Sequence, residues 1–545
     1  MPIDIVLQAL PRRAPRWRPV ALGAALVGAV LVAGCGGGDT FSSESGTARP
    51  QAAAAVVPVT EAGAIRFLEQ ATFGPTPTDI AHLQSVGYDG WLTEQFAQTV
   101  TPLPAAGDRT SLETVQAGFF KNALNAPDQL RQRVAFALWQ IMVVSDRKID
   151  NRIGLVNYQG VLLNDAFTTY RKLIEDVSLS PAMGTYLDMA NNVKADPQAG
   201  TNPNENYARE VLQLFSVGLV KLNADGSPAL DGGGKPVATY SQETVEGFAH
   251  VFTGWTYPSA KRTRGTGTLN PPAYTGPMVA RDAYHQDGTK LLLDGVTISQ
   301  STTANELHAA MDDIAQHPNV GPFLGARLIQ ALVKSNPTPA YVQRVAAAFA
   351  DNGSGQRGDM KAVIRAVLLD PEARAGDTLA AAAGDGKLRE PALYMTRLLR
   401  AFPAKYTGTG LPYYSQSMKQ DVYDAPSVFN FYPPSYRPQG YTVLGPEFKI
   451  LDSPALASRL NFAWDFTNGG IPGRAQPNFN ALVTAAGDNA TLIATLDRNL
   501  LHGTMPDGLK STIAGALTAS GGSAQERAML ALYLVAASPA FNIQK

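Results

Sequence analysis

The sequence predicts a mainly α protein: a multi-helix globular body with long irregular loops and one small β-hairpin. Three observations predict it. Apolar residues recur every three or four positions, as in Leu130, Val134, Leu138 and Ile141, which places them on one helix face. Helix-start chemistry recurs too: Thr76-Pro-Thr-Asp79 has capping-box spacing, and Ser180-Pro181 puts proline behind an N-cap residue. Paired turn signals, Asp225-Gly226 and Asp231-Gly232, separate β-prone pieces in a single stretch, 220–240.

The elements follow in chain order. Arg12, Arg13, Arg16 and Arg18 precede the uncharged run VALGAALVGAVLVA, 20–33, and then the sequence VAGC ending at Cys35. A basic stretch, a short apolar run and small residues at the exit make a secretory signal; the run is too short to span a membrane comfortably. VAGC resembles the bacterial lipoprotein cleavage box, which implies cleavage before Cys35 and acylation of its thiol. Gly36 after the cysteine favours the outer membrane in that class. The bland alternative is a buried free thiol. Arg12-Arg13 is a poor twin-arginine match in its surroundings, which favours the general secretory route. Residues 1–35 thus read as a lipoprotein-type signal peptide and 36–60, rich in Gly and Ser at its start, as a flexible tether. Residues 61–545 read as one large helical domain.

Within that domain the capping box at Thr76 opens a helix that stops at Gly87. Further helices are expected over 127–144, after Pro181, and over 322–333, 340–350, 360–369, 389–402 and 526–538. Stretch 220–240 reads as a hairpin or long loop; its aspartates lack calcium-loop spacing. Residues 256–290 and 403–450 are long loops rich in proline, glycine and tyrosine, of the kind that carry function or cover a site. Lys and Arg total 45 against 46 Asp and Glu, a balance that gives nucleic acid no basic surface. The lone cysteine excludes an internal disulfide.

Several stretches together resemble one bacterial family, the domain of unknown function 1800 family. They are FLEQATFGPTPTDIAHLQSVGYDGWLTEQF (67–96), NENYAREVLQLFSVGL (204–219), VFTGW (251–255), YHQDGTKLLLDG (284–295), HPNVGPFLGARLIQALV (317–333) and DMKAVIRAVLLDPEAR (359–374). APSVFNFYPPSYRP (425–438) and LGPEFKILDSPALASRLNF (444–462) fit one branch. The resemblance implies an exported bacterial protein and brings no established activity. The chain departs from the family pattern in two places. LWQIMVVS (138–145) stands where the family often carries a Trp-His-Asn-His stretch. Gln242, Thr244 and His250 stand where it often shows Glu, Asp and Arg.

Three polar clusters are candidate sites. In NENYARE, Asn204 can cap a helix, and Glu205 and Arg209 have ion-pair spacing. Glu205 and Glu210 lie about 140° apart around a helix, so they cannot form one acid/base pair. Glu210 and Asn206 flank the apolar stripe, where a buried polar cluster serves architecture or function. In ETVEGFAHVFTGW, Glu243, Glu246 and His250 have metal-compatible helix spacing, but no second Glu/His helix completes a shell. In YHQDGTK, His285, Asp287 and Lys290 gather a base, an acid and an ammonium in a loop. The aromatic run FNFYPPSY, 429–436, can stack on sugars or pack a loop on the core. No GxSxG elbow, Walker loop or dinucleotide fingerprint is present.

Two functions remain open. The first is an exported hydrolase on an envelope or extracellular polymer. Glu210 and His285 would be its acid/base groups, Arg209 and Lys290 would stabilise negative charge, and Glu205 would complete the set. The second is a non-catalytic module presenting loops 256–290 and 403–450 to a protein partner. No cofactor is named by any motif.

Overall fold

The computed structural model describes residues 58–545 apart from 259–268, 300, 378–384, 403, 405, 470 and 472–476. The signal peptide, Cys35 and nearly all of the tether lie outside the described residues. Val57–Lys545 cluster as one unit. Among the described residues there are 23 α-helices and three two-stranded antiparallel sheets. No described helix is long and apolar enough to cross a membrane.

Local chemistry sets the helix boundaries. Thr76 and Asp79 form the reciprocal capping box, each side chain accepting from the other's backbone N–H, at the start of Pro77–Ala97. Gly87, with φ +73°, breaks that segment into two helical pieces. Gln129–Ile141, Val320–Leu332, Pro339–Ala350, Met360–Leu369, Pro391–Ala401 and Ala524–Ala537 occupy the expected stretches. Ser180 precedes Pro181–Tyr186 without a side-chain cap bond. Asn206–Glu210 runs into a π-helical turn, Val211–Ser216. Such bulges cost regular hydrogen bonding and concentrate at functional sites.

Stretch 220–240 carries isolated antiparallel bridges, Val220 with Ala238, Leu222 with Pro228 and Leu230 with Pro236, rather than a continuous ladder. Asp225 and Asp231 make the expected turns by accepting from Ser227 and Gly233 backbone N–H groups. Leu219 and Leu230 are exposed, so they add little apolar burial to consolidate strands. The named ladders are Trp255–Thr256 with Val279–Ala280, Thr289–Leu291 with Thr297–Ser299, and Lys387–Leu388 with Ile543–Gln544.

The core is continuous from Phe67 to Phe541. Some of the charges buried within it form compensated groups. Glu69 accepts from Arg389 at 2.6 Å, also pairs with Arg397, and lies 3.1 Å from His502. Burial pushes the Glu69 carboxyl up, but Arg389, His502 and Arg397 together hold it well below the usual range.

Candidate functional site

Helix Gln242–Val251 packs on helix Asn206–Glu210, on strand Thr289–Leu291 and on helix Thr303–Gln316. Gly247 makes the close approach to the strand possible, because a Cβ there would strike the Leu291 carbonyl. The helix therefore stands between two of the sequence-named clusters. On one side Arg209 pairs with Glu205 at 2.5 Å and donates to Gln242 Oε1 at 2.8 Å. Gln242 Nε2 returns to Glu205 and to Glu246, each at 3.2 Å. This is a solvated network, with Arg209 exposed.

Glu210 differs. It is half-buried, and its Oε2 is enclosed without a hydrogen-bond partner among the described residues. Burial pushes its carboxyl up, with Arg209 opposing. Tyr186 and Tyr240 lie close enough to feel its charge; burial first and Glu210 second raise both phenols to about 12.

On the other side, His285 and Lys290 meet at a residue absent from the sequence-named set. Glu306, 2% exposed, accepts from Lys290 Nζ at 2.7 Å and lies 2.9 Å from His285 Nε2. His285 Nδ1 lies 2.9 Å from the Thr253 carbonyl, so both ring nitrogens are engaged. Lys290, 1% exposed, also donates to the Gln286 carbonyl at 2.6 Å. Gly254, with φ +79°, lets the chain pass against His285, where a side chain would collide. Asp287 is exposed, 3.6 Å from Lys194. His250 lies between the two clusters; burial and Lys290 push its ring down while Glu246 and Glu205 pull it up. The geometry thus brings His285 and Lys290 together and brings Glu205 and Arg209 together, while Glu210, close enough to Arg209 to feel its charge, joins neither hydrogen-bonded group. Among the described residues, no group of three His, Cys, Asp or Glu side chains is placed to hold a metal ion.

A cavity with about 1590 Å³ of empty space including its mouth lies elsewhere, lined by Ile153, Val156, Asn157 and Tyr274; a smaller one has about 690 Å³ including its mouth. Its apolar walls are Ile141, Leu214, Phe323, Val428, Phe429 and Pro434, and its polar lining includes Gln140, Arg327, Lys387, Asn430, Tyr432 and Glu447. Four of the eight stretches that carry the family resemblance meet here. Leu214 comes from 204–219, Phe323 and Arg327 from 317–333, Asn430 and Tyr432 from 425–438, and Glu447 from 444–462. Gln140 comes from LWQIMVVS, the stretch lacking the family's histidines. The run FNFYPPSY packs a loop on the core at one residue and leaves another exposed. Phe431 packs against Trp139, while Phe429 stays 48% exposed at the cavity.

The floor is a buried charge cluster. Lys387 Nζ lies 3.1 Å from Glu447 Oε1 and 3.9 Å from Glu390 Oε1, and donates to the Ala331 carbonyl at 2.8 Å. The short strand pairing with Ile543–Gln544 fixes Lys387 in place. Glu390 precedes Pro391 at a helix N-terminus, a favourable end for a carboxylate. Its Oε2 accepts from the Tyr432 hydroxyl at 2.7 Å and from Gln420 Nε2 at 2.5 Å. Arg133 lies behind, donating to the Ala331 carbonyl at 2.6 Å. Burial pushes its guanidinium down, while Glu390, Tyr432 and Glu447 support its charge.

Several polar atoms are left over. Glu447, 2% exposed, has Oε2 without a hydrogen-bond partner among the described residues. Asn430 Oδ1 and Gln140 Nε2 are in the same condition. Burial raises the Glu447 carboxyl, Lys387 opposes, and Glu390 adds to the rise. A buried carboxyl with a raised pKa in the lining of a cavity is suited to proton transfer. Sequence reading missed Lys387, Glu390, Glu447 and Arg327. Their only local signal was a charged Lys-Leu-Arg-Glu run before a helix and the Pro446-Glu447 pair in a resemblance stretch.

A family model described as "Protein of unknown function (DUF1800)" matches residues 66–543, nearly the whole chain. No curated protein and no solved structure matches it.

Proposed function

The chain belongs to the DUF1800 family, and we propose that it is a lipid-anchored cell-envelope hydrolase acting on an envelope or extracellular polymer in the pocket above Lys387 and Glu447. The single observation that carries the catalytic reading is Glu447: a buried carboxyl with a raised pKa and an unpartnered oxygen, on a cavity assembled from distant family-marking stretches. Its role is general base. Water oxygen bonds to the acyl carbon as its proton passes to Glu447; the bond to the leaving group then breaks, and the leaving group takes that proton. Lys387 and Arg133 balance the charge of Glu447 and Glu390. Of the sequence-named set, Glu210 is the competing carboxyl, one helical turn before Leu214 of the pocket wall, with Arg209 and Glu205 beside it. His285 and Lys290 hold the frame around Glu306.

Envelope location rests on the basic stretch, the apolar run 20–33 and VAGC. It is tested by mass spectrometry of membrane fractions: the N-terminal peptide should begin at an acylated Cys35, and Cys35→Ser should release the protein. The catalytic reading is tested by a pH–rate profile on ester- and amide-linked polymers. The rate should rise with pH through a pKa above the ordinary carboxylate range and lose that limb in Glu447→Gln. A flat profile, or no turnover of any polymer, rejects it.

A second reading, a non-catalytic binding module, is favoured by one observation. Tyr413, Phe429, Tyr441, Val443 and Phe448 are exposed within 403–450, and exposed apolar clusters mark interaction surfaces. It predicts a retained partner in a pull-down together with absence of turnover.

A further inference from the structure

Arg327 sits in the pocket wall on helix Val320–Leu332 and is partly buried. A guanidinium carries five N–H donors. The hydrogen bond it makes among the described residues runs from Nη1 to Gln330 Oε1 at 3.1 Å. Its plane lies 5.2 Å from the Phe323 ring centroid. No carboxylate of the described residues forms an ion pair with it, and desolvation alone pushes its pKa down to about 10. Some other buried cations of this fold have an acid partner: Arg389 and Arg397 pair with Glu69, Arg400 with Asp79, Lys290 with Glu306 and Lys387 with Glu447, whereas Arg133 and Arg459 bond to carbonyl oxygens instead. Burying a cation without an acid is costly unless something completes it. Of the two cations lining the pocket, Arg327 is the one without an ion pair among the described residues.

The surroundings restrict that partner. Phe323, Leu214, Ile141, Val428 and Phe429 make most of the wall apolar. Glu447 Oε2 and Asn430 Oδ1 are buried acceptors without a hydrogen-bond partner among the described residues. Lys387 is already neutralised, and Glu447 and Glu390 would repel a dianion. A single planar guanidinium matches a carboxylate in two-point geometry.

We propose that the pocket recognises a small monocarboxylate with an apolar body, its carboxylate held by Arg327 and stacked beside Phe323. This deepens the hydrolase reading and rests on the same pocket. It makes the preferred polymer end a unit that carries a free carboxylate, with the scissile acyl bond directed toward Glu447.

The test is calorimetric titration of the full mature chain with 4-phenylbutanoate, its neutral amide and 3-phenylpropylphosphonate. The carboxylate should bind at least about tenfold more tightly than the amide and the phosphonate. Arg327→Gln should lower carboxylate affinity by about tenfold or more and leave the amide unchanged. Its melting temperature should stay equal or rise, because an uncompensated cation has been removed; Arg327→Met is the second variant if Arg327→Gln fails to fold. Glu447→Gln should keep carboxylate affinity within about threefold while abolishing turnover, a difference of under 1 kcal/mol, so loss of catalysis and loss of anion recognition are separable. Equal binding of carboxylate and amide, unchanged affinity in Arg327→Gln, or no carboxylate binding to the wild type overturns the proposal. Tighter binding of the phosphonate overturns it in favour of a phosphate-bearing ligand.

Discussion

Replacing Lys387 by Met removes the ammonium between two buried carboxylates and keeps the aliphatic volume. Lys387 is almost wholly enclosed, 3.1 Å from Glu447 and 3.9 Å from Glu390. Without it, both acids face each other and the cavity with Arg133 as the remaining cation. Breaking a buried pair by deleting one partner costs about 3–5 kcal/mol, mostly the penalty of an uncompensated charge. The pH dependence has a definite sign. The Glu447 carboxyl is already raised in the fold, so the folded state holds its proton more tightly than the unfolded chain. Stability from that group is greatest at low pH and falls as pH rises through the folded value. Loss of Lys387 raises Glu447 further, so the variant's deficit should be large at pH 8 and shrink at pH 5.5. Urea unfolding followed by far-ultraviolet circular dichroism at both pH values reads this out. A deficit under about 1 kcal/mol, below the range for a broken buried pair, or one independent of pH, would refute the reasoning.

Glu306→Ala should destabilise by about 3–5 kcal/mol, because it strands the buried Lys290 and His285; adding Lys290→Met should restore much of the loss in a double-mutant cycle on the same unfolding signal. Glu69→Gln should lower stability at neutral pH by a similar amount, about 3–5 kcal/mol. The Glu69 carboxyl is depressed in the fold, so its contribution is present above the unfolded pKa and lost as pH falls through the folded one; the variant and the wild type should converge in acid. Gly247→Ala forces a methyl onto the Leu291 carbonyl and should lower stability by about 1–3 kcal/mol, read by thermal melting.

The helices were legible because their signals are local. Thr76 and Asp79 are three residues apart and bond to each other, and Met360–Leu369 carries its apolar face in ten consecutive residues. The hairpin expectation caught the turns at Asp225 and Asp231, where side chains bond within their own loops. It could not tell that Leu219 and Leu230 are exposed and that the stretch forms isolated bridges. The polar sites were legible in pieces. YHQDGTK announced a charged loop, yet Glu306, which unites His285 with Lys290, sits in a helix with no distinguishing mark. Glu69 meets Arg389 and Arg397 across most of the chain, and Lys387 meets Glu447 across 59 intervening positions of unrelated character. Periodicity reports which face of a segment is apolar; it says nothing of which distant acid will meet a buried base. The resemblance stretches marked parts of the pocket, but only the fold shows that they share one cavity.

The pocket's role as active site is tested most directly by measuring kcat/KM for Glu447→Gln and Glu210→Gln side by side, on a polymer turned over by the wild type, with folding of both verified. If catalysis occurs above Lys387, the first substitution lowers kcat/KM by about 10²–10⁴-fold and the second leaves most of it. Full activity in Glu447→Gln, with loss confined to Glu210→Gln, would contradict the assignment and move the chemistry to the helix that begins at Asn206.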